Sequence, residues 1–308
     1  MAYPVAAGYQ SLTQTWIPIL YAKRILPEFY ARFILNYCSN RDYEGEIKTK
    51  GDTVRVRKLT EIDFHEHVDG QKLEYQKLDP GYIDLHIDRG LYWGFNIPDV
   101  TDFQTDIDLK SPHTTKAAIG LRNNLQRIVF ADIPSEASEY NRGRTAGYIH
   151  GAYDLGVAGT PREVTAEDVV DLILDCGAAL DEVERPEEDR FIIIPIWMHR
   201  LIKGSEIREV YITGDAKSSL RTGNVGMIDR FNVFATNTLP VATDGSDRCT
   251  SVLFGDKYAL TFAGQIDKTE QGRFDDMFGG YHRALFTWGH KVIDPLGLGH
   301  AYVCPASE

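Results

Sequence analysis

Thr53-Val54-Arg55-Val56-Arg57-Lys58 and Tyr82-Ile83-Asp84-Leu85-His86-Ile87-Asp88 both alternate apolar and charged residues almost one by one. A period of two is the signature of a strand with one face buried and one face in water. Between them lies Asp69-Gly70, a dipeptide that accepts the positive φ angles of a tight hairpin turn. Residues 43–97 therefore read as one long antiparallel arm. It opens with Tyr43-Glu44-Gly45-Glu46-Ile47 and the turn-like Lys50-Gly51-Asp52, and closes on the apolar Leu91–Ile97 before Pro98-Asp99. Seventeen extended residues from Thr53 to Asp69 reach roughly 55 Å. A free two-stranded hairpin is marginal in water, so the apolar face of this one needs a cover. Two covers fit: the rest of an ordinary mixed sheet, or another copy of the chain.

The composition bounds the partners. With 308 residues, 43% hydrophobic and 25% charged, the chain is long enough for two or three packed regions of a soluble globular protein. There is no apolar run near eighteen residues, and no membrane partner is expected. Met1-Ala2-Tyr3-Pro4-Val5 lacks the basic and apolar segments of a secretory signal. Cys38, Cys176, Cys249 and Cys304 are far apart in sequence, which argues for reduced thiols rather than a disulfide framework or a metal cluster. The net charge of −12, with Lys and Arg interleaved among acids as in Glu184-Arg185-Pro186-Glu187, argues against tight nucleic-acid binding.

The remaining patterns are mixed. In residues 8–39, Trp16, Ile19, Leu20, Leu26, Phe29, Phe33 and Ile34 recur at helical spacing, interrupted by Pro18 and Pro27. This region is either a lid over the core or an arm against a neighbour. Ser111-Pro112 reads as a helix start, followed by Ala118, Leu121, Leu125 and Ile128 as a narrow apolar stripe up to Asp132. Such a helix is about 30 Å long and rests one face on a sheet. Residues 135–162, with five glycines, read as loop. Thr165-Ala166-Glu167-Asp168 resembles a capping box ahead of Val169, Val170, Ile173, Leu174 and Leu180, which should point inward. Phe191–Ile194, Phe231–Phe234 and Ser251–Phe254 read as short strands, and Pro195-Ile196-Trp197-Met198 as a restarted helix. Helices packed around a central sheet are expected.

Late in the chain, Gly223, Gly226, Ile228, Phe231 and Val233 lead to Asn237-Thr238-Leu239-Pro240. Ala259–Ala263, Glu270 with Arg273, and Gly289-His290-Lys291-Val292 ahead of Pro295 follow in order. Together with Tyr43–Glu46 and Gly51–Val54, these segments resemble the major capsid (coat) proteins of tailed bacteriophages, whose fold is named after phage Hong Kong 97. The likeness spans about 250 residues, and it is the order of the pieces that carries it.

The resemblance implies an α+β, Hong Kong 97-like fold. Its parts would be an N-terminal arm (1–42), an extended β-hairpin loop (43–97), a peripheral domain with a spine helix (98–160), an axial domain (161–250) and return strands (251–308). It further implies hexamers and pentamers closing into an icosahedral shell, assembled in the host bacterial cytoplasm. Expected partners are other copies, a separate scaffolding protein, a portal protein and, loosely, packaged double-stranded DNA. Subunit contacts are expected at Arg55, Arg57, His65, His67, Asp69, Gly70, Lys72, Tyr75 and Lys77.

Alternatives from other classes are a nanocompartment shell that encloses protein cargo, a tail or baseplate component, and an enzyme. For the enzyme there is no GxSxG, no Gly-rich loop ending in Lys-Ser/Thr and no HExxH. His65 and His67, with Asp63 and Asp69 nearby, have the donor types of a metal site, but a solvated strand face has the same residues. Asp267, Glu270 and Asp275-Asp276 suit surface turns better than acid–base chemistry. Catalytic residues, cofactors and metals are accordingly not assigned.

Overall fold

A computed structural model shows how these elements pack. The structure describes residues 33–41, 53–58, 62–67, 69–70, 72, 75–77, 81–99, 110–204, 226–274 and 278–306. The helical pattern of residues 8–32, the arm's opening at 43–52, Gly223 and Asp275-Asp276 lie outside them.

The centre is strand β5 (Arg190–Pro195), whose six residues are all buried. Its neighbours are β7 (Phe231–Thr236) in parallel and β9 (Asp247–Asp256) antiparallel. The sheet continues outward through β12 (Leu298–Pro305) to the short β4 (Arg162–Val164) on one side. On the other side it ends at β6 (Met227–Ile228), and β8 (Val241–Asp244) pairs with the first half of β9. Both faces of this seven-stranded sheet are covered, which is why Phe191-Ile192-Ile193-Ile194 reads as a continuous apolar run rather than an alternation. Ile192 and Ile194 point to one face, where helices α3 (Asp168–Glu182) and α4 (Ile196–Gly204) bring Val169, Leu172, Ile173, Cys176 and Met198. Phe191 and Ile193 point to the other, against α1 (Leu35–Cys38) and the end of α2 (Lys110–Asp132).

Local signals explain the element ends. The Thr165 hydroxyl accepts from the Asp168 backbone N–H at 3.2 Å and donates to the Asp168 carboxylate, which is half of the bonding of a capping box, and the helix itself starts at Asp168. Strands β6 and β7 are joined by Asp229 and Arg230 alone, both at positive φ (43° and 64°), which makes a two-residue hairpin turn. Three details differ from the sequence expectation. Helix α2 begins at Lys110, so Ser111 lies inside its first turn rather than at its cap. The stripe on α2 is buried only towards its end, at Leu125, Val129 and Phe130, while Ala118 is exposed. Leu174 points outward, 46% exposed, and Leu172 takes the inward position instead.

A second, three-stranded antiparallel sheet runs β10 (Leu260–Arg273), β11 (Gly279–Val292) and β3 (Arg89–Pro98). Asp267 is the extra residue where the β10–β11 register shifts, a β-bulge position. The hairpin proper is narrower than residues 43–97: β1 (Thr53–Lys58) pairs with β2 (Gly81–His86) and nothing more of the ladder is present among the described residues. Leu91–Ile97 belongs to the second sheet, because the chain turns away at Ile87-Asp88 to pair with β11.

Buried charge pins the ends of four elements together. Arg185, just after α3, reaches Asp256 at the end of β9 (2.6 Å) and Asp294 after β11 (2.5 Å). Asp256 is 0% exposed and also accepts from the backbone N–H of Tyr258 and Ala259. Next to it, the fully buried Arg190 donates to the carbonyls of Pro186 and Arg185 and pairs with Asp181. Gly297 leaves the necessary space: a Cβ there would lie 2.4 Å from the Asp256 carboxylate. Asp256→Ala should lower stability by about 3–5 kcal/mol, since it strands a partly buried guanidinium and two backbone donors. Urea unfolding checks this, and a loss below about 1 kcal/mol would show that Asp294 alone satisfies Arg185.

Histidine burial adds a pH dependence. Burial first, and then Arg142, push His300 on β12 down to about 4. Burial and Arg89 likewise lower His290 on β11. An unfolded histidine takes up its proton near pH 6.5, whereas folded His300 resists it until about 4. Stability present above pH 6.5 is therefore lost as the pH falls towards 4, by roughly 2 kcal/mol from His300 alone between pH 7 and pH 5. His300→Gln should flatten that difference in urea midpoint. An unchanged drop in the variant would place the acid sensitivity elsewhere.

Candidate assembly surface

The arm is a β-ladder with two unlike faces. Val54 and Val56 on β1 and Leu85 on β2, with Ile87 just beyond it, are buried. Val54, Leu85 and Ile87 pack with Ala263 of β10, so the base of the arm is covered by its own chain and not by a second copy. On the other face, Arg55 and Asp84 are directly opposite and joined by two hydrogen bonds of 2.8 and 3.2 Å. The Arg55 guanidinium also lies 5.5 Å from the Tyr82 ring centre and holds the Asp84 carboxyl below the usual carboxylate range. Arg57 occupies the ladder position opposite Tyr82.

The arm crosses β11 at a glycine. A Cβ on Gly289 would sit 2.2 Å from the His86 carbonyl oxygen, so only a bare backbone lets the end of β2 lie this close. Nearby, Arg89 at the start of β3 bonds Asp132 at the end of α2 (2.5 Å) and stacks over Trp288 of β11 at 5.2 Å. The arm root is thus tied to both the long helix and the second sheet.

Beyond the root the described residues of the arm are exposed. His65, His67, Asp69, Gly70, Lys72, Tyr75 and Lys77 are all exposed, and Gly70 has φ of 83° at the turn. The two legs still meet: Gln76 accepts from the Asp63 backbone N–H at 3.0 Å. The large apolar groups are the unexpected part. Phe64 is 95% exposed, Tyr75 88% and Ile62 61%. Tyr75 stands among the residues expected at contacts, but Phe64 and Ile62 do not. Two apolar residues, Ile62 and Phe64, alternating with acids and histidines in Glu61–His67 were the available signal. Among the described residues, no three His, Cys, Asp or Glu side chains converge as metal ligands.

The free end of the second sheet is also open. Phe278 is 90% exposed there, Tyr92 is 82% exposed nearer the core end of β3, and Trp93, Phe95 and His282 stack in a row along β3 and β11. Glu270 bonds Arg283 across to β11, and Arg273 bonds Asp99 beyond β3. These cross-strand pairs fix the register of long strands whose ends have little core beneath them.

No family profile and no curated protein sequence matches the chain. Solved structures do. One from Mycobacterium phage Che8 superposes with a TM-score of 0.72 at 21% identity, over 93% of this chain and 97% of that one. The capsid of cyanophage P-SCSP1u gives 0.66 at 18% identity, over 93% and 92%. The capsid asymmetric unit of cyanophage Pam1 gives 0.67 at 12% identity, over the whole of both chains. The chain has the phage capsid fold. Coverage near completeness in both directions means that the capsid fold accounts for all the described layers, with no large region left over.

Within this fold Gly289 is the residue that seats the arm. Gly289→Ala should push β2 off β11 and cost about 1–3 kcal/mol in overpacking. Limited proteolysis should then cut residues 81–88 faster than in the wild type. An unchanged urea midpoint and cleavage pattern would show that the crossing relaxes without strain.

Proposed function

We propose that the chain is the major capsid protein of a tailed bacteriophage, a subunit without catalytic activity whose copies close into an icosahedral shell of hexamers and pentamers around double-stranded DNA. The observation that carries this reading is the end-to-end match to phage capsid structures at very low identity. The charge supports it too: a net −12 suits a container that holds DNA without gripping it. In this reading residues 1–42 are an N-terminal arm, 43–97 an extended loop, 98–160 a peripheral domain with α2 as spine, and 161–250 an axial domain, with return strands after residue 250. A scaffolding protein and a portal protein are its further partners.

The physical case rests on the arm tip. A shell needs heterologous contacts that repeat, and each can be weak because many act together. The tip offers Phe64 and Tyr75 to water amid charged neighbours. Burying such a ring against a neighbour is worth about 2 kcal/mol. The charges around it set the register of that contact more than its strength. His65, His67, Asp69, Lys72 and Lys77 are the residues to which this role falls.

Negative-stain electron microscopy of the purified protein, alone and with the product of the adjacent gene, tests the reading. Uniform closed shells are expected in at least one of the two. Monomers or small oligomers in both would return the chain to the metal-site and tail-component readings. Deleting residues 59–78 should leave a cooperatively folded subunit, because Val54, Leu85 and Ile87 keep their cover at the root, yet abolish shells. Closed shells from the deletion variant would move the main contact off the arm.

A further inference from the structure

Cys249 and Cys304 are 55 residues apart in sequence and face each other in space. Strands β9 and β12 are antiparallel, with Val303 opposite Thr250 and Tyr302 opposite Ser251. The next step of the same register sets Cys304 opposite Cys249. The backbone bonding shows which kind of pair this is. Tyr302 N–H donates to Leu155 and Ala306 N–H to Val164, so even-numbered residues of β12 turn their backbone groups away from β9. Ser251 N–H donates to Pro240, so odd-numbered residues of β9 turn theirs towards β8. Cys249 and Cys304 therefore form a non-hydrogen-bonded pair, the closer type, with Cα atoms about 4.5 Å apart. That lies within the span a disulfide bridges, about 4.4–6.8 Å. Both side chains are on the same face of the sheet, packed together with Tyr302.

We propose that Cys249 and Cys304 are a cross-strand dithiol that oxidises to a disulfide, a reversible covalent clamp between the C-terminal strand and β9. Both are free thiols in this structure. All four cysteines are buried, but Cys304, 1% exposed, lines a surface recess between Glu163 and the Asp244–Asp247 hairpin, which makes it the point of attack. The remaining cysteines serve as internal controls. Cys38 and Cys176 are buried in the two cores on opposite faces of the large sheet, each without a cysteine beside it.

With hydrogen peroxide as oxidant, the Cys304 thiolate attacks one peroxide oxygen, the O–O bond breaks and hydroxide leaves. The product is a sulfenic acid. Cys249 Sγ then attacks the Cys304 sulfur, the S–O bond breaks, and the oxygen departs as water with the thiol proton. The two thiols lose two electrons and the peroxide gains them, giving one disulfide and two waters. Burial, and then Cys249, push the Cys304 thiol up to about 11. The groups around it act in the same direction: Glu163 and Asp247 are acidic, and Asp154 and Asp244 line the recess with Arg144 as its basic residue. The reaction is thus slow at neutral pH and quickens roughly tenfold per pH unit up to pH 9, following the thiolate fraction.

The test uses the full-length protein treated with hydrogen peroxide at pH 8.5, denatured, and assayed for free thiols beside a reduced control. Thiols should fall from four to two, and non-reducing peptide mapping should join the Cys249 and Cys304 peptides within one chain. The oxidised protein should also show a higher urea midpoint that dithiothreitol returns to its starting value. Cys304→Ser should keep its three thiols under the same treatment. Four thiols remaining in the wild type would overturn the proposal. So would a bond to Cys38 or Cys176, or a disulfide between two chains. The proposal does not depend on shell assembly, so its failure leaves the capsid reading untouched.

Discussion

Strand β5 is buried on both faces, and that single condition dictates most of the architecture. A strand with one wet face needs cover on one side only. Six consecutive buried residues need a layer on each. Helices α3 and α4 supply one layer, and α1, the end of α2 and the roots of β10 and β11 supply the other. The second layer explains why the three-stranded sheet starts where it does. Leu260, Phe262, Trp288 and Val292 belong to the same core as Phe191 and Ile193, so the long strands are anchored at one end only. From there they run outward to an open end beside Phe278, which is 90% exposed.

The arm inherits its position from that anchoring. Its base has a four-residue apolar cluster, far too small to fold alone, so its orientation is set by what it crosses. The crossing point is Gly289, in the stretch of β11 nearest the core, where Trp288 is 1% exposed. Arg89 then bolts the outgoing chain to Asp132 and Trp288. In the proposed shell, a root held by these contacts and an exposed tip suit a contact that reaches a neighbouring copy. Flexibility at the root would add an ordering cost to every contact made at the tip.

The sequence disclosed what depends on local pattern. Alternation at Thr53–Lys58 and Tyr82–Asp88, the apolar run at Phe191–Ile194 and the cap at Thr165 each rest on neighbours within a few residues, and the elements are there. What it concealed depends on distant partners. Leu91–Ile97 alternates as well as the arm strands do, and nothing in its composition says that β11, almost 200 residues later, is its mate. Leu174 fits a helical stripe, yet the sheet beneath α3 is met by Leu172. Position Gly289 was visible as part of a motif, but its reason, a carbonyl of His86 pressed against the backbone, is a tertiary fact. For the tip, charge drew attention to Lys72, His65 and Asp69, whereas Phe64, which is 95% exposed, went unmarked.

The tip's mixture of rings and charges is itself an argument about assembly. Phe64 and Tyr75 alone would form the sort of exposed apolar patch that drives indiscriminate association. Asp63, Glu66 and Asp69 beside them, all exposed, hold the free subunit in solution and penalise any contact in the wrong register. The gain per contact stays near that of one or two buried rings, a few kcal/mol before the cost of ordering the arm. A bond that weak breaks often when made singly. In the proposed shell such a contact would persist only when the other contacts of the same subunit close as well, so that misplaced copies leave and correctly placed ones stay.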